Sequence, residues 1–246
     1  MKILVTGDKG YLGSEFINRY GNDYEIVGYD LKDGLDLLDY KTLSEKVAGC
    51  EMVVHLAAIP KPVEGRDFPD YFKNNVEASL NVFRAAFEAG AKRVVYASST
   101  TIYGIEGGIP FQTPITESQP FVSQYLKADQ LSTRDVDLSY HMSKTMAEQI
   151  AAWFGLNKKL QTVALRFGPI NKVFLGTSVS INNATQAIKL ALDYPGELWY
   201  EAFSIVDEIT HIDISKAKKI LGYNPEVPNY SPEQIRSTLE AKASLK

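Results

Sequence analysis

Short hydrophobic runs alternate with segments of helical periodicity along the first two thirds of the chain. Residues 2–7 (KILVTG) form an apolar run that ends in glycine, and residues 24–30 (YEIVGYD) form a second one. Between them, residues 11–20 (YLGSEFINRY) place apolar side chains at the helical period. This pattern predicts a strand, a helix and a second strand in succession.

The same alternation continues further along the chain. Strands are predicted in residues 51–58 (EMVVHLAA), 91–99 (AKRVVYASS) and 161–168 (QTVALRFG), and helices in residues 71–90 and around Tyr140. The predicted strands are continuous Val, Ile and Leu runs, which indicates burial on both faces. The sequence therefore predicts an α/β fold, with a doubly wound parallel sheet covered by helices.

The last third of the chain is less regular. Helices are predicted in residues 182–194 and 213–225 and a strand in residues 197–204, and residues 105–116 are a Gly- and Pro-rich loop. We expect residues 1–168 to form the main domain. Residues 169–246 are expected to form a small, discontinuous cap interleaved with that domain.

Composition narrows the possible classes of protein. The 246 residues carry 30 acidic and 26 basic side chains without a basic tract, so nucleic acid is an unexpected partner. No apolar run approaches the roughly 18 residues of a membrane span. Cys50 is the single cysteine, and His55, His141 and His211 are far apart in the sequence. We therefore expect no disulfide framework, no metal site and no membrane partner, in a protein of the reducing cytoplasm.

Glycines recur between the first strand and the first helix. Residues 6–13 (TGDKGYLG) place Gly7, Gly10 and Gly13 three residues apart, with Tyr11 and Leu12 at the helix start. Glycine lets the backbone turn tightly and approach a pyrophosphate, whose charge is stabilised by the free N–H groups of a helix N-terminus. Three glycines are weak evidence alone, but this strand-loop-helix context predicts dinucleotide binding.

An acid ends the second predicted strand. Asp30 follows Gly13 by 17 positions, where a carboxylate can accept hydrogen bonds from ribose hydroxyls and would repel a 2′-phosphate. This favours NAD over NADP, although Lys32 nearby weakens the preference. The alternative is that Asp30 caps the following turn.

Tyr140 and Lys144 lie one helical turn apart in LSYHMSKTMAEQI, residues 138–150. Tyrosine has an ordinary pKa near 10, so it is a poor base at neutral pH unless a positive charge stabilises its anion. Lys144 can supply that charge. Such a pair also occurs by chance in many helices, and its place after a glycine loop and a serine-ended strand is what favours catalysis.

In this order the motifs resemble the extended short-chain dehydrogenase/reductases, the superfamily of NAD-dependent epimerases and dehydratases. The resemblance covers residues 2–168 and includes "VVYASSTTIYG" at 94–104, the Tyr140 and Lys144 pair, and "ISKAKKILGYNP" at 214–225. It implies a Rossmann-type fold with NAD as cofactor. Residues 1–168 are then expected to bind NAD and to carry the catalytic residues, and residues 169–246 to bind the substrate. It also implies a homodimer whose interface contains the helices of residues 75–90 and 139–154.

The resemblance also implies the site residues. Ser99, Tyr140 and Lys144 are the expected catalytic residues, with Ser99 orienting the substrate oxygen. The expected cofactor contacts are Gly7, Gly10, Tyr11, Leu12, Gly13, Asp30, Asp36, Leu37, Leu56, Ala57, Ala58, Asn75, Ser98, Tyr140, Lys144 and Phe167. The expected substrate contacts are Ser99, Thr100, Thr101 and Gly168. Arg166 is either structural or on the cofactor side, whereas His55 and His141 are expected to be structural.

The chain departs from the family pattern after the strand predicted in residues 161–168. Pro169 stands where sugar-nucleotide enzymes carry an asparagine, and the substrate segment that follows is short. Residues 121–138 are longer than usual and are a candidate lid. The compact cap and Gly168 resemble uronate dehydrogenases, which oxidise free sugar acids.

Three functions follow from these expectations. The first is NAD-dependent hydride transfer at a secondary alcohol of a sugar or sugar-derived substrate, such as a free sugar acid. The second is a nucleotide-sugar epimerase or dehydratase that recycles bound NAD. The third is a non-catalytic NAD-binding protein, against which the intact Ser99, Tyr140 and Lys144 argue.

Overall fold

A computed structural model describes residues 1–104, 113–121, 135–171, 177–207 and 211–226 of the chain. Most of the Gly- and Pro-rich loop and of the candidate lid therefore lies outside the described residues. Within them, six parallel strands form one sheet in the order β2-β1-β3-β4-β5-β6. The strands are β1 (Lys2–Thr6), β2 (Glu25–Tyr29), β3 (Met52–His55), β4 (Arg93–Ser99), β5 (Gln161–Phe167) and β6 (Glu201–Ile205).

Helices cover both faces of this sheet. They are α1 (Tyr11–Tyr20), α2 (Tyr40–Val47), α3 (Phe68–Tyr71), α4 (Ala78–Glu88), α5 (Asp135–Leu156), α6 (Ile181–Asp193) and α7 (Ser215–Leu221). The prediction of a doubly wound α/β fold is confirmed. The helix predicted over residues 71–90 contains a π-helical turn, Phe72–Glu77, that joins α3 to α4.

The hydrophobic core has two layers, one on each side of the sheet. On one side, Ile3 and Val5 of β1 belong to a buried cluster with Phe16 of α1. On the other side, Leu4 of β1 belongs to a cluster with Val82 of α4. Because successive strand residues point to opposite faces, one continuous apolar strand supplies both layers.

The C-terminal third contributes to the main sheet. Strand β6 pairs with β5 from Val163↔Glu201 to Phe167↔Ile205, and α6 packs beside α1. Residues 201–205 thus extend the main sheet. The division of the chain at residue 168 into two functional parts stays a prediction.

Arg93 joins α6 to the sheet from a fully buried position at the start of β4. Its guanidinium donates to the carbonyl oxygens of Ala191 at 2.9 Å, Tyr194 at 3.0 Å and Gly196 at 2.6 Å. It also donates to the side-chain oxygen of Gln161 at 2.7 Å. The last carbonyls of a helix have no partner within the helix, so one side chain satisfies the end of α6 and the turn that follows.

We predict that Arg93→Met lowers the free energy of unfolding by about 3 kcal/mol, because buried carbonyls lose charged donors. Lys92→Met is the matched control: Lys92 is the exposed neighbour of Arg93, and its loss should change stability by less than about 0.5 kcal/mol. Urea denaturation of the three proteins measures both values. A loss below about 1 kcal/mol for Arg93→Met would contradict this role.

Candidate active site

The glycine loop after β1 lies against the loop after β3. Gly7 has a φ of +72°, and a Cβ on Gly7 would lie 2.8 Å from the backbone nitrogen of Ala57. A Cβ on Gly13 would overlap the carbonyl of Gly7. The turn therefore requires glycine at both positions, for backbone conformation at the first and for close approach at both.

Helix α1 begins at this turn with an open N-terminus. Its N-cap is Gly10, and no side chain of the described residues caps the first N–H groups. These groups face a cavity of about 650 Å³ lined by the glycine loop. An open helix N-terminus beside a backbone without Cβ atoms fits a dinucleotide pyrophosphate.

Asp30 follows β2 at the same edge of the sheet and both lines the cavity and caps the next turn. Its carboxylate accepts the N–H groups of Lys9 at 3.1 Å and Lys32 at 2.9 Å. The expected cap is therefore present, and the expected contact with a cofactor ribose stays a prediction. The Lys32 ammonium donates to the Lys9 carbonyl at 2.8 Å, and the Lys9 ammonium pairs with Asp33. Both lysines near Asp30 thus already have protein partners.

Most of the residues expected at the site line this one cavity. They are Gly7, Gly10, Tyr11, Leu12, Gly13, Asp30, Asp36, Leu37, Leu56, Ala57, Ala58, Ser98, Ser99, Thr101, Tyr140, Lys144, Phe167 and Gly168. Two expected residues, Asn75 and Thr100, are buried and are not among the lining residues in the described part of the chain. Their predicted contacts with cofactor and substrate therefore have no support from the cavity.

Asn75 instead holds two protein segments together. Its side-chain oxygen accepts the N–H of Ile59 at 2.7 Å, and its amide nitrogen donates to the Ser143 hydroxyl at 2.9 Å. The first contact fixes the loop after β3, and the second fixes α5. Asn75 lies in the π-helical turn, which widens the helix and re-aims its side chains.

The predicted catalytic residues meet at the carboxyl edge of the sheet. Ser99 ends β4, and Tyr140 and Lys144 lie on α5 with about 5% of each side chain exposed. The Lys144 ammonium donates to the carbonyl of Ala97 at 2.9 Å. One strand end therefore supplies both Ser99 and the acceptor that holds Lys144.

Burial lowers the pKa of Lys144 to about 8, although the nearby Glu148 carboxylate opposes this shift. The ammonium also lies 5.3 Å from the centre of the Tyr96 ring. Burial disfavours the charged form of an amine. The proton on Lys144 is therefore held less tightly than on an exposed lysine.

A buried ion pair lies behind Ser98. The Arg166 guanidinium donates to the Glu148 carboxylate at 2.5 Å, and the Ser98 hydroxyl donates to the same carboxylate at 2.5 Å. Arg166 is 3% exposed and Glu148 is fully buried. Arg166 is therefore structural, which decides between the two roles left open for it. Glu148 was missed, although it lies one helical turn after Lys144 and the spacing alone could have drawn attention to it.

Arg166 also anchors the segment around residue 117. Its guanidinium donates to the Tyr103 hydroxyl at 2.8 Å and to the Glu117 carbonyl at 3.1 Å. The Glu117 carboxylate in turn accepts the N–H of Ser204 at 2.7 Å. The segment around residue 117 is thus tied to β5 and β6.

The loop after β3 contributes lining residues that the sequence did not reveal, among them Ile59, Pro60, Lys61, Pro62 and Arg66. Tyr71 supports this loop, since its hydroxyl donates to the Lys61 carbonyl at 3.2 Å and accepts the Val63 N–H at 2.7 Å. The Tyr71 ring lies edge-on to the Tyr140 ring, with centroids 6.1 Å apart. The loop is therefore held beside Tyr140 by a contact that only the tertiary structure creates.

The end of β5 also contributes to the cavity. Gly168, Pro169 and Ile170 all line it. A Cβ on Gly168 would overlap the carbonyl of Thr177, so the backbone after β5 packs closely against the backbone at residue 177.

His141 is buried, and burial lowers its pKa to about 4. It is not among the described residues that line the cavity.

The residues that the structure describes contain no helix long and apolar enough to cross a membrane. They also contain no group of three or more His, Cys, Asp or Glu residues that could hold a metal ion.

Comparison with known proteins agrees with this site. Residues 3–170 match the NAD dependent epimerase/dehydratase family. Uronate dehydrogenase from Pseudomonas syringae pv. tomato is 25% identical over 259 residues, covering 98% of this chain and 86% of that protein. UDP-glucose 4-epimerase from Bacillus subtilis is 30% identical over 145 residues, covering 49% of this chain and 42% of the relative.

A solved structure shares the fold. The crystal structure of a short-chain dehydrogenase/reductase superfamily protein from Agrobacterium tumefaciens, with bound NAD, superposes with a TM-score of 0.77 at 18% identity. The match covers 100% of this chain and 98% of that one. Because the family match extends over more than half of the chain, the predicted family and its NAD dependence are confirmed. The protein is an enzyme of the NAD-dependent epimerase/dehydratase family.

Proposed function

We propose that the protein is an NAD-dependent dehydrogenase that oxidises a secondary alcohol of a sugar or sugar-derived substrate, with free sugar acids as the first candidates. The observation that carries this proposal is that Ser99, Tyr140 and Lys144 line the same cavity as the glycine loop. The uronate dehydrogenase relative supports the substrate class, because its similarity extends over 98% of this chain. The match to the epimerase covers less than half of each protein.

Tyr140 is the proposed general base for the substrate hydroxyl. When bound, NAD would accept a hydride from the carbon that carries this hydroxyl. As the C–H bond breaks, the Tyr140 phenolate takes the hydroxyl proton, so that a carbonyl forms in the substrate. Burial of Tyr140 at 5% exposure keeps bulk water from competing for that proton.

Lys144 stabilises the Tyr140 anion in this proposal. The two residues lie one turn apart on α5, and the carbonyl of Ala97 holds the ammonium in place at 2.9 Å. A positive charge beside a phenol favours its ionised form and lowers its pKa. The Glu148 carboxylate, one further turn along α5, helps Lys144 to keep its proton.

Ser99 is proposed to orient the substrate oxygen towards Tyr140. Its own hydroxyl oxygen accepts the Thr101 N–H at 3.2 Å, which leaves the hydroxyl proton for donation to a substrate. The register of the sheet places Ser99 opposite Phe167, which we propose packs beside the cofactor. Thr101 and Gly168 line the neighbouring wall and are proposed substrate contacts.

We propose that the chain after residue 168 supplies the substrate side of the cavity, whereas residues 1–168 hold cofactor and catalytic groups. Pro169 and Ile170 already line that side. Pro169 has no N–H and no side-chain amide, so it cannot make the contacts of the asparagine that sugar-nucleotide enzymes carry there. This favours a substrate without a nucleotide, and it makes an epimerase or dehydratase the second candidate.

A homodimer is a further part of the proposal. Helices α4 and α5 expose Leu80, Phe87, Trp153 and Leu156, with exposed fractions of 44, 40, 53 and 72%. The Phe154 ring contacts both the Phe87 ring and the Trp153 ring, with centroids 6.1 and 4.9 Å away, so exposed aromatic side chains of the two helices are neighbours. Exposed apolar patches of this kind are typical of association surfaces.

A cytoplasmic location stays a prediction. It is supported by the chain's single cysteine, Cys50, which is buried and whose thiol is directed at the Lys46 carbonyl at 3.7 Å. Such a thiol gives the chain no internal disulfide with which to stabilise itself in an oxidising compartment.

We predict that Tyr140→Phe lowers turnover by at least about 100-fold, because the proton acceptor is lost. The assay follows NADH by absorbance over a panel of free uronic acids, aldoses and nucleotide sugars. Tyr24→Phe, which removes a hydroxyl bonded to Asp193 away from the cavity, is the matched control and should keep full activity. Unchanged turnover by Tyr140→Phe would exclude the mechanism. An unmodified enzyme that converts a sugar without accumulating NADH would be an epimerase or dehydratase.

We predict that Lys144→Met stabilises the cofactor-free protein at pH 7 by roughly 1–3 kcal/mol while abolishing most activity. The folded pKa of Lys144, about 8, lies below its ordinary 10.5, so the folded state binds this proton more weakly than the unfolded state does. The penalty is therefore fully present below pH 8 and disappears as the pH rises towards 10.5.

Urea denaturation at pH 7 and pH 10 checks this prediction. The stability difference between Lys144→Met and the unmodified protein should shrink at pH 10. The exposed Lys41→Met should show the same small difference at both pH values. Equal stabilities of Lys144→Met and the unmodified protein at pH 7 would show that burial does not destabilise the charged form.

We predict that Trp153→Glu combined with Leu156→Glu converts the dimer to a monomer, because two charges would be buried at the interface. Light scattering measures the mass. Leu31→Glu is the control: it changes an equally exposed leucine, with 69% exposure, beside the cofactor cavity and should leave the dimer intact. A monomeric unmodified protein would contradict the homodimer.

A further inference from the structure

His55 lies at the carboxyl end of β3, is 1% exposed, and contacts polar groups from two other elements. Its Nδ1 lies 2.7 Å from the Thr6 hydroxyl at the end of β1. Its Nε2 lies 2.9 Å from the Ser79 hydroxyl on α4. The mechanism proposed above uses none of these three side chains.

The neighbours of His55 determine which ring nitrogen carries the proton. The Ser79 hydroxyl donates its single proton to the Asn75 carbonyl at 2.5 Å, so towards His55 it can only accept. Nε2 must therefore be the N–H group, and in a neutral ring Nδ1 then accepts the Thr6 proton. Burial, with a smaller contribution from the positive charge of Lys144, lowers the pKa of His55 to about 3, so the ring stays neutral at physiological pH.

The hydrogen bonds extend beyond this triplet through Asn75, whose backbone carbonyl accepts from Ser79 and whose side-chain amide donates to the next residue. At one end, the Thr6 hydroxyl accepts the N–H of Ala57 at 3.3 Å, in the loop that lies against Gly7. At the other end, the Asn75 amide donates to the Ser143 hydroxyl at 2.9 Å, which donates to the Tyr140 carbonyl at 2.7 Å. Every side chain between the two ends is buried: Thr6, His55, Ser79, Asn75 and Ser143.

We propose that this buried hydrogen-bond chain sets the position of α5, which carries Tyr140, relative to the loop after β3. It runs from Ala57 through Thr6, His55, Ser79, Asn75 and Ser143 to the backbone carbonyl of Tyr140. His55 is its central positioning residue. The inference rests on the proposed role of Tyr140. Buried polar groups of this kind specify one arrangement because every alternative leaves a donor or acceptor unpaired.

Nitrogen NMR of the imidazole rings tests the direction of the chain without cofactor or substrate. We expect His55, assigned by its absence in His55→Gln, to be protonated on Nε2 and not to titrate between pH 5 and 9. Protonation on Nδ1 would overturn the proposal, because Nδ1–H would then donate towards Thr6 and reverse the order of donors. This measurement uses the unmodified protein, so it remains decisive even if the variants fold poorly.

A double-mutant cycle tests whether the chain acts on catalysis. Thr6→Val and Ser143→Ala each remove one hydroxyl, and three residues of the hydrogen-bond chain lie between these two positions. We expect each to lower kcat by about 10-fold with little change in substrate KM, because the misplaced Tyr140 no longer meets the substrate in the reactive geometry. Once one bond is broken the second contributes less, so the double variant should be more than about 3-fold better than the product of the two losses.

Thr162→Val is the matched control for this cycle. Its hydroxyl is equally buried but donates to the Ala151 carbonyl at 2.8 Å, which is not part of the hydrogen-bond chain. Combined with Ser143→Ala, its effect on kcat should simply multiply. If Thr6→Val and Ser143→Ala also multiply, the two ends are independent and the proposal is wrong. That result would not contradict the proposed dehydrogenase activity, because the Tyr140→Phe variant tests that activity separately.

Discussion

The parallel pairing of all six strands is the constraint on which the site depends. Because every strand runs in the same direction, the carboxyl ends of β1, β3, β4 and β5 meet at one edge of the sheet. The chain moves outward from β1 first to β2 and then, in the other direction, to β3. This reversal opens a crevice at β1 and β3, and the backbones of Gly7 and Ala57 approach each other there. The glycine loop and the end of β4 therefore line one cavity.

The charged groups buried beneath this edge have partners. Arg166 pairs with Glu148, and the Ala97 carbonyl accepts from Lys144. The Arg166 and Glu148 charges would be costly to bury alone, and removing one of them would leave the other unpaired. The site thus rests on a base of matched donors and acceptors, and small displacements of strand or helix would break several bonds at once. Such a base can hold Tyr140 and Ser99 in one geometry.

Local patterns predicted a large part of this arrangement, for reasons that can be stated residue by residue. The glycine loop, Asp30 and the strand ending at Ser99 follow from backbone requirements and periodicity, which are properties of neighbouring residues. The Tyr140 and Lys144 pair follows from helical spacing. Asn75 was expected at the cofactor because its position in the helix matched a family pattern. Its amide is instead held between Ile59 and Ser143 in a π-helical turn, which periodicity does not reveal.

The amino-acid sequence by itself determined the fold class and the family and named the candidate catalytic residues, because these depend on local spacing and on the order of motifs. Only the tertiary structure decided that Arg166 pairs with Glu148, that Tyr71 supports the Lys61 loop, and that His55 joins β1 to α4. These contacts link residues far apart in the chain. Their energy depends on burial and on the direction of individual hydrogen bonds, and neither quantity is encoded in any short stretch of sequence.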